Sequence, residues 1–271
     1  FTHAAGSTAG LTFDIHGDLT IASGGSIDVS GRGFGSAQGP GAGPSSSSGF
    51  YGGAGGGHGG SGSQSGPLAG GALYGSPSAP TTLGSGGGQF FNDQGGAGGG
   101  AVRLVIGGTL TVNGSLRADG TNSSTPGAGS GGSIWITAGA LGGNGVIYAR
   151  GGSSFGGGGG GGRIAFSTSP AGFAGSIDAR GGTGSPNAGP GTIYYATATP
   201  RPRLVFSGPG TTVFKQPFTF DDDVLVENGA VLSHESGSVA GLTINVTGDL
   251  TIANGGSIDV SGRGFGSAQG P

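Results

Sequence analysis

The chain has no cysteine and no methionine, one lysine (Lys215) beside nine arginines, one tryptophan, and only 8% charged residues. Without cysteine there is no disulfide and no thiolate metal site, so the fold must rest on packing and backbone hydrogen bonds. Without an initiating methionine, the sequence is expected to be processed or cut from something longer. So few cations, scattered along the chain, form no basic patch, which sets nucleic acid aside as a partner. No apolar run approaches the ~18 residues that would suggest a bilayer span. No signal peptide is present either, so any targeting signal is expected outside this segment.

What the chain does have is glycine, 73 of 271 residues, with 14 prolines. Glycine loses much conformational freedom on folding, so a conventional helical core is hard to stabilise here. There is no Gly-X-Y period, which excludes a collagen helix. The formal net charge of −3 and recurrent β-branched runs argue against simple disorder.

Two repeats are nested in the sequence. Residues 1–40 align without a gap on 232–271, an offset of 231, and GGSIDVSGRGFGSAQGP at 24–40 recurs letter for letter at 255–271. Just upstream the match is looser, GLTFDIHGDLTIAS against GLTINVTGDLTIAN. This reads as one 231-residue unit plus the start of the next.

Inside the unit, AVRLV, SIWIT, RIAFS and TIYYA begin at Ala101, Ser133, Arg163 and Thr192. Each of the first three leads to a second short run, GSLRADG, GVIYARG and GSIDARG, and then to a glycine loop. GSIDVSG at 25 and 256 is the same element. Period-2 alternation puts Val102 with Leu104, Ile134 with Ile136, Ile164 with Phe166, and Ile193 with Tyr195 on one face. Leu116 and Ala118, Ile147 and Ala149, and Ile177 and Ala179 alternate likewise. Stacked one period apart, Asp119, Arg150 and Arg180 form one outer column, with Arg117, Tyr148 and Asp178 in the next.

The expected fold is therefore all-β, a parallel β-helix or solenoid with long glycine-rich, polyglycine-II-like loops, in which no coil is stable alone. The expected organisation is a solenoid coil over 1–30, a glycine-rich insertion over 31–100, coils of about 30 residues over 101–200, a dense solenoid over 201–260, and the next insertion from 261 to 271. Within the insertion Phe50, Tyr51, Tyr74, Phe90 and Phe91 are the expected anchors of closely packed glycine strands.

GDLTIASGGSIDVSG resembles the repeats of filamentous-haemagglutinin and autotransporter-like passengers of large secreted bacterial surface proteins. GGAGGGAVRLVIGGTLTVNGSLRADG and GGGGGGGRIAF resemble glycine-rich repeats of very long extracellular bacterial proteins. The resemblance implies a right-handed parallel β-helix and a stalk, adhesin or filament role, and it transfers no catalytic residue. The seventy-residue glycine segment departs from the plain haemagglutinin-type pattern.

Chemistry-bearing motifs are sparse. The lone lysine follows Phe214, which removes a phosphate loop. His3, His16, His58 and His234 are scattered and are expected at surfaces or turns rather than on a metal. Asp221, Asp222 and Asp223 are the only acidic cluster. On a strand only Asp221 and Asp223 would share a face, a weak metal candidate that reads better as a solvated turn. Asn113, Asn122 and Asn245 each open an Asn-X-Ser/Thr triplet, the acceptor pattern for N-glycosylation. No cofactor is expected.

The expectation is an extracellular, non-enzymatic structural repeat that associates with itself, since the ends of a solenoid need caps and this segment shows no polar cap. The alternative is a glycan- or surface-binding adhesin, and behind it a β-helix polysaccharide-degrading enzyme using Asp221–223.

Overall fold

The structure, a computed structural model, describes every residue except Ser48, Ser267, Ala268, Gln269 and Pro271. Part of the segment expected to open a second insertion, 261–271, thus lies outside the described residues. Nearly all regular structure among the described residues is β, in mostly parallel sheets that do not close into a barrel. No helix among the described residues is long and apolar enough to cross a membrane.

The chain opens with β1 (Leu11–Ile15), β2 (Leu19–Ile21) and β3 (Ser26–Asp28), and re-enters regular structure at β4 (Ala101–Val112) and β5 (Ser115–Arg117). Then come β6 (Ser133–Gly142), β7 (Val146–Tyr148), β8 (Arg163–Phe166), β9 (Ser176–Asp178) and β10 (Thr192–Tyr195). Ala101 pairs with Ser133, Ser133 with Arg163, and Arg163 with Thr192, all in parallel. The second set stacks the same way, Ser26 on Ser115, Val146 and Ser176 in turn. Each β-branched run therefore pairs with its own counterpart one period along, so identical faces stay aligned.

The inward set forms one continuous core. Val102, Leu104, Ile134, Ile136, Ile164 and Phe166 pack with Leu116, Ala118, Ile147 and Ala149, each with exposure of 1% or less. Full burial of such side chains contributes about 1.5–3 kcal/mol apiece, so this column dominates the stability of the first half.

After β10 the chain turns through Ala196 to Pro202 and reverses. β11 (Arg203–Ser207) lies antiparallel to β10, with Ile193 opposite Val205. β12 (Gly210–Phe214), β13 (Phe218–Phe220), β14 (Asp223–Glu227), β15 (Ala230–His234), β16 (Ile244–Val246), β17 (Leu250–Ile252) and β18 (Ser257–Ile258) follow. Three parallel ladders hold them: β11 to β14 to β17, β12 to β15 to β18, and β13 to β16. Prolines 200 and 202 cannot donate to a ladder, which suits them to the turn where the direction changes.

With the reversal the buried face also changes. Ala165, Tyr194, Leu204, Phe206, Val224 and Val226 join Phe214, Phe220 and Leu232 in a second core on the other side of the shared sheet. All four residues of β8 are buried in consequence, as for any strand covered on both faces.

Candidate functional site

Three regions carry the molecule's distinctive chemistry: the glycine-rich bundle, the outer charge ladder, and the two ends of the sheets.

Between β3 and β4 the chain runs in extended passes that lie against the loops after β5, β7 and β9. The pass through 53–58 shows how they are held. Ala54 and Gly57 donate to the carbonyls of Pro44 (3.0 Å) and Gly41 (2.8 Å), Gly55 to Ser63 (3.0 Å), and Gly56 to Ala128 (3.0 Å). In return the Gly53 and Gly56 carbonyls accept from Gly157 (2.9 Å) and Gly160 (2.8 Å), and Ala54 and Gly55 accept from Gly88 and Gly71. Bonds to one neighbour thus recur every third residue, and the pass is enclosed on all sides. A second chain of bonds crosses the loops of successive repeats, from Gly182 to Gly159, Gly152, Gly129, Thr121 and Ala97.

Glycine is required here by space. A Cβ on Gly55 would stand 1.8 Å from the Gly158 carbonyl oxygen, and one on Gly182 would stand 1.7 Å from that of Gly152. Neither glycine takes left-handed φ; another residue could adopt the backbone but not the contact.

A polar seam runs through the bundle. His58, fully buried, donates from Nδ1 to the Gly131 carbonyl (2.9 Å) and accepts at Nε2 from Thr82 Oγ1 (2.8 Å). Burial, with the nearby Arg163 charge, lowers its pKa to about 3, so it is a neutral imidazole of fixed tautomer. Arg163 is 5% exposed and has no carboxylate partner among the described residues; its guanidinium donates to the Tyr74 carbonyl (2.9 Å), Thr192 Oγ1 (3.0 Å) and the His58 carbonyl (3.4 Å). Burial lowers its pKa to about 10, and it remains a cation. Tyr74 lies against His58, ring centroids 4.8 Å apart, and bonds to the Leu83 carbonyl and Ser85 Oγ.

The sequence places His58 at a surface or turn; the structure buries it, because Gly131 and Thr82 meet both ring nitrogens. Of the five expected anchors, Tyr74 is bonded into the bundle. Phe90 is partly buried with its ring against Phe91, while Phe50 is 90% exposed, Tyr51 47% and Phe91 53%.

The outer columns stand as the spacing requires: Arg117 beside Tyr148, Tyr148 beside Asp178. Arg150 pairs with Asp178 at 2.8 Å and lies 3.5 Å from the Tyr148 ring centroid, while Arg117 pairs with Asp119 at 2.9 Å. Asn113, Asn122 and Asn245 all lie at the surface. The first two already use their side-chain oxygens to cap Asn144 and Ser153 amides one repeat along.

The three aspartates diverge. Asp221 is exposed, Asp222 accepts from the Tyr194 hydroxyl (2.9 Å), and Asp223, 6% exposed, accepts from the Asp249 amide (2.9 Å). The described residues contain no group of three His, Asp or Glu placed to hold a metal.

At the ends, the two copies of the repeated block share the same glycine turns over their described residues. Gly6 and Gly237 have φ of 72° and 74°, Gly24 and Gly255 80° and 81°, Gly31 and Gly262 65° and 67°. Gly6 donates to the Arg32 carbonyl and Gly237 to that of Arg263, both at 2.9 Å; Ser30 bonds Asp28 Oδ1 and Ser261 bonds Asp259 Oδ1, both at 2.8 Å.

No protein-family model matches the chain, and no curated protein or solved structure was found to resemble it.

Proposed function

We propose that this chain is a unit of a tandem-repeat parallel β-solenoid, an extracellular structural element that builds a filament, sheath or stalk. Its partner is a further copy of the same unit, and the role involves no catalytic step. The observation that carries this reading is the matched set of glycine turns over 6–31 and 237–262 at opposite ends of one strand stack. A segment that ends each unit in the conformation that begins it makes the stack continuable without adjustment.

Within this reading the glycine passes form a polyglycine-II-like bundle that braces one side of the solenoid. The three-residue recurrence of bonds supports it, three residues per turn being the period of such extended helices. Carbonyl-to-amide bonding in every lateral direction ties loops of successive coils together, which suits a load-bearing part. The filament reading is tested by the denatured mass of the polypeptide from its native source. Masses rising in steps of one 231-residue unit support a covalent stalk; a single mass near that of this segment rejects it.

A second reading, glycan binding, is favoured by one observation. A cleft of about 340 Å³ is lined by Leu73, Tyr74, Phe214, Phe218 and Phe220, with Lys215 and Gln216 among its polar residues. An apolar wall with few polar groups is the usual form of a small-ligand site. Oligosaccharide binding that disappears in Phe218→Ala would favour this reading; no binding to a glycan panel would remove it.

A further inference from the structure

The two copies of the repeated block are bare on opposite sides. In the first, Ile21, Ile27 and Val29 are 5%, 2% and 0% exposed, because β4 and β5 lie against them. Their counterparts in the second, Ile252, Ile258 and Val260, are 48%, 38% and 48% exposed. At the block's other side the order inverts: Phe1 is 80% exposed, while its counterpart Leu232 is fully buried in the second core.

The glycines give the same pattern independently. A Cβ on Gly10 would meet the Ala101 carbonyl at 2.8 Å, one on Gly31 the Thr121 side chain at 2.6 Å, and one on Gly33 the Gly99 carbonyl at 2.4 Å. At Gly241, Gly262 and Gly264, their counterparts, nothing lies within 4 Å. Conversely Gly256 is pressed on the Val226 carbonyl at 2.2 Å, while Gly25 meets only Ala22 and Ile21 of its own turn. The hydrogen bonds agree: Asp18 Oδ1 accepts from the Thr109 amide (2.6 Å), and Asp249, its counterpart, donates its own amide upstream to Asp223.

Each copy therefore displays the half of a joint that the other lacks. We infer that the apolar face at 250–260 is the seat for strands with the sequence of β4 and β5, supplied by a following copy of the same unit on the same chain. This rests on the tandem reading above and specifies its joint. The register is that of the first copy, so Ser257 faces the new counterpart of Ser115, as Ser26 faces Ser115. Leu250 and Ile252 face those of Leu110 and Val112, as Leu19 and Ile21 do.

The test is to lengthen the chain beyond Pro271 with a second copy of residues 41–118. Amide hydrogen exchange at 250–260 is compared between the original and lengthened chains. The inference expects exchange there to slow at least 100-fold on lengthening. Unchanged exchange overturns it, whether or not the added segment orders. A cysteine pair checks register in a chain that has no native cysteine. Ser257→Cys should form an intramolecular disulfide with cysteine at the added Ser115 position and not at the added Thr109 position. Equal yields at both positions, or a cross-link only between chains, overturn the proposed occupant. A protected, correctly registered joint in chains that form no rods would sink the filament reading alone. Native filaments whose 250–260 amides stay unprotected would sink only this joint.

Discussion

The carbonyl oxygen of Gly158 occupies the place where a Cβ of Gly55 would be, 1.8 Å from it. Both residues are backbone alone, and the bundle closes because of it. Gly55→Ala must displace a hydrogen-bonded pass on every side and should cost about 2–4 kcal/mol, toward the upper end of overpacking effects. Gly17 has nothing within 4 Å, so Gly17→Ala should be neutral or stabilise by up to about 1 kcal/mol through the unfolded chain. Denaturant midpoints of the two variants check the contrast; equal effects would mean the passes are not packed as described.

His58 provides a pH-dependent contribution. Its folded pKa, about 3, lies below the ordinary 6.5, so between these values the unfolded chain binds a proton that the folded chain refuses. Its contribution, on the order of 4 kcal/mol, is fully present above about pH 6.5 and is lost as pH falls toward 3. Nitrogen NMR at pH 5 should show His58 neutral and protonated on Nδ1. An imidazolium at that pH would contradict the buried seam.

The shared sheet separates two cores, and each should respond to its own truncation. Ile164→Ala, on the first face, should cost about 2–5 kcal/mol, and Phe206→Ala, on the second, about 3–5 kcal/mol. Trp135 lies on the second face, packed against that core, so its fluorescence in the folded state should shift with Phe206→Ala and not with Ile164→Ala.

Along the outer ladder, Asp178 accepts from Arg150, from the Arg180 side chain and from the Arg180 amide. Arg180, half exposed, should be replaceable by Ala within about 0.5 kcal/mol. Asp178→Ala should cost more, about 1–2 kcal/mol, because a backbone amide loses its acceptor as well. Thermal unfolding at low and high salt separates the two, the Arg180 effect vanishing at high salt.

The stacking of the first half was legible in the sequence because its signals lie in side chains. Ala101, Ser133, Arg163 and Thr192 each begin an apolar alternation, and the structure pairs these four residues in register. The reversal after Tyr195 was not legible. Its trace is the burial of Ala165 and Tyr194 on the second face, and a four-residue run such as RIAF reads the same with one face buried or two. The partners of the glycine passes were illegible for a simpler reason: a residue without a side chain carries no mark of which neighbour it meets. His58 was misplaced for the same cause, standing among glycines that give no periodicity from which to read its face.

If units of this chain stack along one axis, their strands lie across it. From β2, which pairs β4, to its counterpart β17 the main sheet advances seven strand steps, so at ~4.8 Å per step each unit should add about 34 Å. X-ray diffraction from aligned native filaments measures both quantities. Stacked units should give a reflection near 4.8 Å along the filament axis and a longer axial repeat near 34 Å or a multiple of it. A 4.8 Å reflection at right angles to the axis would place the strands along the filament and rule out axial stacking of these units.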